Sequence, residues 1–463
     1  MGVFPMEREN KMGTMPIGKL IFNMSLPMIA SMLVQALYNI VDSIFVSRIS
    51  EQALTAVSLA FPAQNLMIGV ATGTAVGVNA LLSRALGSKE YDRANRIAEN
   101  GVFLAFVGYA IFLIFGAFFS RLFMQSQTQV QEIVDMGTTY ITICCCTSFG
   151  IFGEIIFERL MQATGRTIYT MYTQGIGAIF NIVFDPICIF VLKMGVAGAA
   201  VATVLGQIVA FVLAIILNHK FNADVQLNMK SFRPDRKIIG SIYAIGVPSI
   251  IMVGIGSVMT FCMNKILIIY TAGKETSATV FGAYFKLNSF IFMPIFGLNN
   301  GVIPIVAFNY GARNRGRMMK TVKLAAVIAC SFMMVGTILF LGIPGLLLKL
   351  FNASENMLAI GIPALRIISI SFPAAGVCIA LGSIFQALGK GTYSMIVSFV
   401  RQLVVLVPSA LLLAMVGQNI GNDVLVWWSF PFAEIFSLTV SLLMFSRLYN
   451  TIIKEIPEGS NVK

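Results

Sequence analysis

Long apolar stretches recur along the whole chain, and short polar connections separate them. A transmembrane α-helix needs about 20 mostly apolar residues, and twelve stretches reach that length. They lack the two-residue alternation that is typical of β-barrel strands. The pattern therefore predicts an all-α, polytopic membrane protein with twelve transmembrane helices. The predicted spans are residues 20–47, 53–80, 97–119, 134–162, 167–192, 195–218, 239–270, 277–308, 321–349, 356–386, 392–416 and 424–446.

The second half of the chain repeats the first at an offset of 224 residues. The stretch QATGR at residues 162–166 returns as QALGK at residues 386–390. Several matches at one offset indicate an internal duplication rather than chance. Further pairs at the same offset are Gly77 with Gly301 and Gly87 with Gly311. Pro27 matches Pro248 at an offset of 221.

Six spans in each half is an even number, so both halves enter the membrane from the same side. Such halves are parallel repeats about an axis along the membrane normal, and a substrate pathway is expected between them. The predicted domains are an N-terminal six-helix lobe (1–218), a cytoplasmic linker (219–238) and a C-terminal six-helix lobe (239–463).

Composition and charge agree with this topology. With 57% hydrophobic and 11% charged residues and a mean hydropathy of +0.85, the chain has too little polar surface for a soluble globule. The net charge of +12 could suggest a nucleic-acid partner. However, the basic residues concentrate in the even-numbered connections and near both termini, from Arg8 to Lys463. The positive-inside rule therefore predicts a multi-pass cell-membrane protein with both termini in the cytoplasm, and no nucleic-acid partner.

Polar side chains form stripes on four predicted helices of the first half. Side chains at spacings of three, four or seven residues lie on one face of a helix. We expect these stripes to surround one shared, partly hydrated cavity. The stripes are Gln35, Asn39 and Asp42; Tyr140, Thr147, Glu154 and Glu158; Gln174, Asn181 and Asp185; and Thr203 and Gln207.

The acids among these residues are the candidates for binding a proton or a cation. A carboxylate in a medium of low dielectric constant either finds a cation or takes up a proton, because an isolated buried charge is costly. Asp42 and Asp185 are the expected cation-coupling residues, with Asn181 and Thr203 as neutral oxygen ligands or hydrogen-bond partners. The alternative is that the acids only pair with a neighbouring amide or base.

The substrate cavity is expected to include six further polar residues of the first half. Glu158 lies close to the cytoplasmic end of its helix, so a rim salt bridge with Arg159 or Arg166 is an alternative to a substrate or proton site. Glu154 lies deeper and is costlier to bury. The six residues are Gln35, Asn39, Tyr140, Glu154, Glu158 and Gln174.

The intramembrane charges predicted in the second half are mainly bases, namely Lys265, Lys286, Arg366 and Arg401, with Glu434 as the one acid. Such bases could pair with Glu434, bind an anionic or zwitterionic substrate, or extend to a membrane interface. Extension to the interface is the simplest interpretation of Lys265 and Arg401. Lys286 and Arg366 are predicted to belong to the substrate cavity.

Pro27 removes a backbone hydrogen bond from the first helix and should kink it. The same helix carries Asp42 about four turns further on. We therefore predict that Pro27 is a hinge whose bend responds to the charge of Asp42. The alternative is that Pro27 only shapes the packing.

Other kinds of chemistry have little support in the sequence. The only histidine, His219, lies in a predicted connection, and the seven cysteines fall within spans. A phosphate-binding G-x-x-x-x-G-K-[ST] motif is absent, so ATP is not expected as the energy source within this chain. We expect a protein that is not an enzyme and that uses no cofactor beyond H⁺ or Na⁺ as the coupling ion.

The repeated architecture resembles the multidrug and toxic compound extrusion (MATE) transporters. The resemblance rests on twelve spans in two halves, on the duplicated Gln-Ala-x-Gly-basic turn, and on the segments 292–301 and 309–312. It implies an antiporter that exports lipophilic, often cationic compounds against an inward flow of protons or sodium ions. One branch of the family has an Asp late in its first helix and Asn-x-x-x-Asp-Pro in its fifth, which supports Asp42, Asn181 and Asp185. Glu158 matches the acid found before the basic residue and Gln-Ala-x-Gly.

The chain departs from another branch, which carries acids in helices seven and ten. Here the seventh span has none, and the tenth has only Glu355 at its entrance. The basic second half leaves open a flippase for lipids or lipid-linked oligosaccharides from the same wider superfamily. The expected partners are small lipophilic cations and membrane lipids, and the expected setting is a monomer in a bacterial inner membrane.

Overall fold

A computed structural model describes residues 10–230, 232–351 and 353–458. Arg8, Lys463 and the outermost residues of the two predicted lobes lie outside this part of the chain. Every regular element in the described residues is a helix.

The first half contains nine α-helices in the described residues, and the second half contains nine more. Those of the first half are α1 (Lys11–Thr14), α2 (Ile17–Ser47), α3 (Glu51–Gly87), α4 (Tyr91–Ile114), α5 (Ser120–Gln127), α6 (Gln131–Cys146), α7 (Phe149–Ala163), α8 (Thr167–Pro186) and α9 (Val196–Phe221). Those of the second half are α10 (Arg236–Tyr270), α11 (Lys274–Gly311), α12 (Arg315–Gly342), α13 (Pro344–Lys349), α14 (Glu355–Ser369), α15 (Phe372–Ala387), α16 (Gly391–Phe399), α17 (Val407–Ile420) and α18 (Ser429–Leu448). Short π-helical or 3₁₀ segments join or extend several of them: Phe115–Phe119, Ile187–Val191, Val400–Leu406, Asp423–Trp428 and Tyr449–Ile453.

The predicted all-α membrane fold is confirmed. In the described residues, ten helical spans are long and apolar enough to cross a membrane alone, and two bent pairs bring the number to twelve. The pair α6 and α7 bends by 45°, and the pair α14 and α15 by 49°. Pro373 at the start of α15 explains the second break, because proline lacks the backbone N–H that would continue the helix. The predicted fourth and tenth spans are therefore each two helices.

The repeated Gln-Ala-x-Gly turn ends a helix in both halves. Gly165 and Gly389 have φ values of +84° and +78°, in the left-handed region that glycine enters without steric cost. The next N–H closes the turn over the helix end, with Arg166 N to Met161 O and Lys390 N to Phe385 O both at 2.7 Å. This arrangement satisfies carbonyls that the helix end would otherwise leave unbonded. The sequence repeat is thus a repeated helix cap.

Glycines bring the two lobes into close contact. A Cβ on Gly87 would collide with the carbonyl of Phe308, and a Cβ on Gly311 would collide with the carbonyl of Arg84. Phe308 and Gly311 lie 224 residues after Arg84 and Gly87, so the two contacts are equivalent in the repeat. Gly73 against Ile250 and Gly297 against Ile29 form a second such pair. The lobes are therefore related by an approximate two-fold axis that runs through these contacts.

The Gly87 and Gly311 contacts lie at the ends of α3 and α11, at the end of the bundle that we call the terminal side. Residues close to both ends of the described chain pack there: the Asn10 amide donates to the Thr164 carbonyl at 3.3 Å, and Arg315 pairs with Glu458 at 2.8 Å. The Ser25 hydroxyl also bridges the lobes, donating to the Leu298 carbonyl at 3.3 Å. The lobes are therefore packed together on the terminal side.

We expect Gly301→Ala to destabilise the protein, because its new Cβ would lie within 3 Å of the Ser25 backbone of the other lobe. Such overpacking costs about 1–3 kcal/mol. Gly282→Ala on the same helix is the matched control, since nothing lies within 4 Å of its Cβ position. Thermal unfolding in detergent should show a lower Tm for Gly301→Ala and an unchanged or higher Tm for Gly282→Ala. Equal Tm values would contradict this account of the interface.

Candidate functional site

A cavity of about 130 Å³ lies inside the first lobe, between α2, α3, α7, α8 and α9. It brings together residues that are up to 175 positions apart in the sequence, from Met32 to Gln207. Six of the residues singled out from the sequence as site residues line it: Gln35, Glu154, Glu158, Gln174, Asn181 and Thr203.

Asp42 and Asp185 meet beside this cavity. Their carboxyl groups lie close enough to interact with each other. Asp185 is completely buried, and Asp42 is half-buried. The Oδ1 atom of Asp42 is buried and has no donor among the described residues. The pair therefore combines two acidic groups with an acceptor atom that is not satisfied.

Asn181 connects this acid pair to α9. Its side-chain amide donates to Asp185 Oδ1 at 3.4 Å and to the Thr203 hydroxyl at 3.3 Å. With the amide rotated by half a turn, it donates to Asp185 Oδ2 and accepts from the Thr203 backbone N–H, both at 3.2 Å. In either orientation, the four residues Asp42, Asp185, Asn181 and Thr203 form one connected cluster.

Glu158 is buried and is held by neutral donors from α8. Its carboxylate accepts from the Thr173 hydroxyl and from the Gln174 amide at 2.7 Å. Arg166, one of the two partners considered from the sequence, pairs instead with Asp224 at 3.1 Å. The carboxylate thus lies in the cavity wall rather than in a rim salt bridge with Arg166.

Arg159 connects the first-lobe cavity to the second lobe. Its Nη1 atom donates to Gln162 Oε1 and to Asn300 Oδ1 of α11, both at 2.9 Å. The side chain is 8% exposed and lines the cavity beside Glu158. Among the described residues of this cavity wall, Arg159 is the one base, and it takes part in the contact between the lobes.

Two residues expected in the cavity lie outside its wall. Asn39 is exposed. Viewed along the helix axis, Gln35 lies between Asn39 and Asp42, which are about 60° apart, so Asn39 points further away from the acid pair. Tyr140 is buried, and its hydroxyl donates to Gln64 Oε1 at 3.5 Å. Gln64 lines the cavity, so Tyr140 supports the wall from behind.

The structure also corrects the placement of Lys286 and Arg366. Both side chains are exposed, and neither lines the cavities described here. Arg366 donates from Nε to the Leu341 carbonyl at 3.2 Å. On α11 the cavity face carries Phe285, Asn288 and Phe292, and Lys286 is rotated by about 100° from Phe285. The helical repeat therefore turns Lys286 away from the cavity.

Sequence reasoning missed Tyr38, Gln64 and Thr173. Tyr38 and Gln64 line the cavity, and Thr173 donates to Glu158. A signal for Gln64 was present, because Gln64, Ile68 and Thr72 follow at steps of four residues and all line the cavity. It was overlooked because the predicted second span carries no acid that would draw attention to this stripe.

The second lobe contains two adjoining cavities of about 370 and 410 Å³. Both are lined by Phe292, Phe296, Arg401 and Gln402. Arg401 pairs with Glu434 at 3.1 Å, which is one of the alternatives considered from the sequence. Lys265 is exposed and lies 5.9 Å from the centre of the Phe261 ring.

The sequence model of the MatE family matches residues 27–187 and 248–412, one match in each lobe. The matches cover most of the chain, which therefore belongs to the MatE family of MATE efflux transporters.

Individual relatives agree with this membership. The multidrug export protein MepA of Staphylococcus haemolyticus is 25% identical over 438 residues, covering 94% of this chain and 95% of its own. A crystal structure of MATE in complex with MaL6 aligns with a TM-score of 0.90 at 25% identity, covering 97% of this chain and 100% of that one. An outward-facing multidrug resistance MATE transporter of the MOP superfamily aligns with a TM-score of 0.89 at 25% identity, covering 98% and 100%. The chain is a multi-pass membrane protein of a multidrug-export family.

Removing the Asn300 side chain should weaken the contact between the lobes at the cavity. Asn300→Ala deletes an acceptor of the Arg159 guanidinium, and hydrogen bonds to charged groups contribute about 1.5–3 kcal/mol. Thermal unfolding in detergent is expected to show a lower Tm than Asn299→Ala, which removes only a bond to Ile379 within the second lobe. A larger effect of Asn299→Ala would show that the Arg159 contact adds little.

Proposed function

We propose that this protein is an ion-coupled antiporter that exports lipophilic cations by alternating access, with H⁺ or Na⁺ as the coupling ion. The observation that carries the proposal is the cluster of Asp42, Asp185, Asn181 and Thr203 beside the first-lobe cavity. Membership of a multidrug-export family supports the export of many compounds rather than one.

The acid pair has the chemistry of a coupling site. Two carboxylates in contact repel each other strongly in a buried site, so a proton or a metal cation between them is favoured. Asn181 and Thr203 add neutral oxygen atoms next to Asp185. Such oxygens suit Na⁺, while the unsatisfied Oδ1 of Asp42 suits either ion. Binding of the ion changes the charge at this point by one unit.

The cavity wall suits a cationic substrate. Glu154 and Glu158 supply negative charge, Gln35 and Gln174 supply hydrogen bonds, and Tyr38 supplies an aromatic surface. An organic cation and the coupling ion are both attracted by the acids of the first lobe. Since both cations neutralise neighbouring acids of one lobe, binding of one should weaken binding of the other. This competition couples their movements in opposite directions.

Movement of the lobes would provide access from alternate sides. Close packing at the glycine contacts shuts the terminal side, which the positive-inside rule places in the cytoplasm. Pro27 allows α2 to bend, because proline has no N–H and the helical hydrogen bond to the Asn23 carbonyl is missing. That carbonyl accepts instead from the Thr167 hydroxyl of α8 at 3.4 Å. Asp42 lies on the same helix, so ion binding there would change the bend of α2.

Flipping of lipid-linked substrates has weaker support. It needs a basic cavity, and Lys265, Lys286 and Arg366 are exposed, while Arg401 is paired with Glu434. The transport unit in our proposal is the monomer, because one chain supplies both lobes. The proposed location is the bacterial inner membrane.

Asp42→Asn and Asp185→Asn should each abolish transport driven by an ion gradient, because the amide cannot take up a proton and has no negative charge for Na⁺ to neutralise. The measurement is ethidium efflux from proteoliposomes under an imposed proton or sodium gradient. Asp135→Asn is the matched control, since Asp135 is exposed and pairs with Arg121 outside the cavity. We expect the control to transport at the native rate and both cavity variants to fall to the leak of protein-free vesicles. Native-like efflux by both would refute the coupling site, and scrambling of a lipid-linked probe without ethidium efflux would favour a flippase.

Pro27→Ala should slow gradient-driven efflux, because it restores a continuous hydrogen-bond ladder in α2 and resists bending. Pro363→Ala, which changes a proline inside α14 of the second lobe, serves as the control. Initial efflux rates in the same vesicles would be compared at equal protein content. Intact transport in Pro27→Ala would leave Pro27 with a packing role only.

A further inference from the structure

An ion pair faces the two adjoining cavities of the second lobe, which we call the second-lobe site. Arg401 and Glu434 are the one base and the one acid among the described residues that line them. Arg401 lies on the π-helical segment Val400–Leu406, a kind of helical irregularity that is frequent at functional sites. Glu434 comes from α18, so two separate helices place the charges side by side.

The pair leaves hydrogen-bonding capacity on both partners. The described contact of Arg401 uses Nη1 alone, whereas a guanidinium has five N–H donors. The Arg401 side chain is 27% exposed. On the other side, Oε2 of Glu434 and Oδ1 of Asn288 are buried and have no donor among the described residues. The site therefore has unused N–H donors on Arg401 and two acceptor atoms without a donor, Glu434 Oε2 and Asn288 Oδ1.

Aromatic side chains form much of the remaining wall. Tyr284, Phe285, Phe292, Phe296 and Phe430 line the larger cavity. The volume of about 410 Å³ lies in the range of small-molecule pockets. Asn65 of the first lobe also lines it, so the cavity lies on the boundary between the lobes. An aromatic ring is thus a suitable occupant.

We propose that the second-lobe site binds an aromatic zwitterion whose ammonium and carboxylate groups lie close together, as in an aromatic α-amino acid. The carboxylate accepts from the unused N–H groups of Arg401. The ammonium group, with three donors, donates to Glu434 Oε2 and Asn288 Oδ1. The aromatic ring packs against the phenyl groups of the wall.

Charge balance selects a zwitterion over a simple ion. The Arg401–Glu434 pair has no net charge, and a zwitterion adds none, so every buried charge has a partner. A ligand with only a carboxylate places a second anion beside Glu434, and a ligand with only an amine places a second cation beside Arg401. Either leaves an uncompensated charge in a medium of low dielectric constant, which is costly. This site uses none of the residues of the antiport proposal and is independent of it.

The test is equilibrium binding of radiolabelled L-tryptophan to the full-length protein in lipid nanodiscs, with tryptamine and indole-3-propionate as competitors. We expect saturable binding of L-tryptophan. Each competitor lacks one of the two charged groups and should bind at least about tenfold more weakly, the factor that corresponds to one lost hydrogen bond to a charge. Absence of saturable binding, or tryptamine competing as well as unlabelled L-tryptophan, would overturn the proposal.

Variants locate the binding. The double variant Arg401→Gln/Glu434→Gln removes both charges together, so neither is left buried and unpaired, and it should lose L-tryptophan binding. Asn288→Leu removes one acceptor without changing any charge and should weaken binding even if the double variant does not fold. Asp135→Asn, which changes an exposed acid paired with Arg121 in the other lobe, should bind as the native protein does. Native affinity in Asn288→Leu or in a folded double variant would exclude this site.

Discussion

Charged side chains inside this bundle must be neutralised or hydrogen-bonded, because the apolar helices around them solvate a charge poorly. Four intramembrane acids near a cavity meet this requirement in three different ways. Asp42 and Asp185 lie against each other, Glu158 accepts from Thr173 and Gln174, and Glu434 pairs with Arg401. Only the last has a full counter-charge. The first-lobe acids therefore depend on neutral donors and on any cation that enters, which makes them responsive to cations.

The two lobes share a backbone plan but differ in chemistry. Their common features are the left-handed Gly165 and Gly389 caps, the bends in the fourth and tenth spans, and the reciprocal glycine contacts. Their cavities differ: the first is small and acidic, whereas the second is larger, aromatic and balanced in charge. The two halves thus share the backbone features that shape the interface between the lobes. The side chains that line each cavity give it a different chemistry.

The interface between the lobes also connects the first-lobe cavity with the cavities of the second lobe. Arg159 lies beside Glu158 in the first-lobe cavity and bonds Asn300 across the interface. Thr72 of α3 lines both the first-lobe cavity and one of the cavities of the second lobe. A change in charge at Glu158 therefore acts next to a bond that holds the lobes together. Packed interfaces of this kind tend to have discrete arrangements rather than continuous ones.

The sequence by itself determined the all-α membrane class, the duplication and the polar stripes of the first half. These are properties of local periodicity and composition, which a single helix in a bilayer must obey. It also singled out Asp42, Asn181, Asp185 and Thr203, because polar residues within apolar spans stand out. Only the tertiary structure decided which of the polar residues meet. The sequence placed Asn39, Lys286 and Arg366 in the cavity wrongly, and it missed Gln64 and Thr173. The reason is that the rotation of each helix about its own axis depends on how the helices pack. That packing includes glycine contacts between residues that are far apart in the sequence.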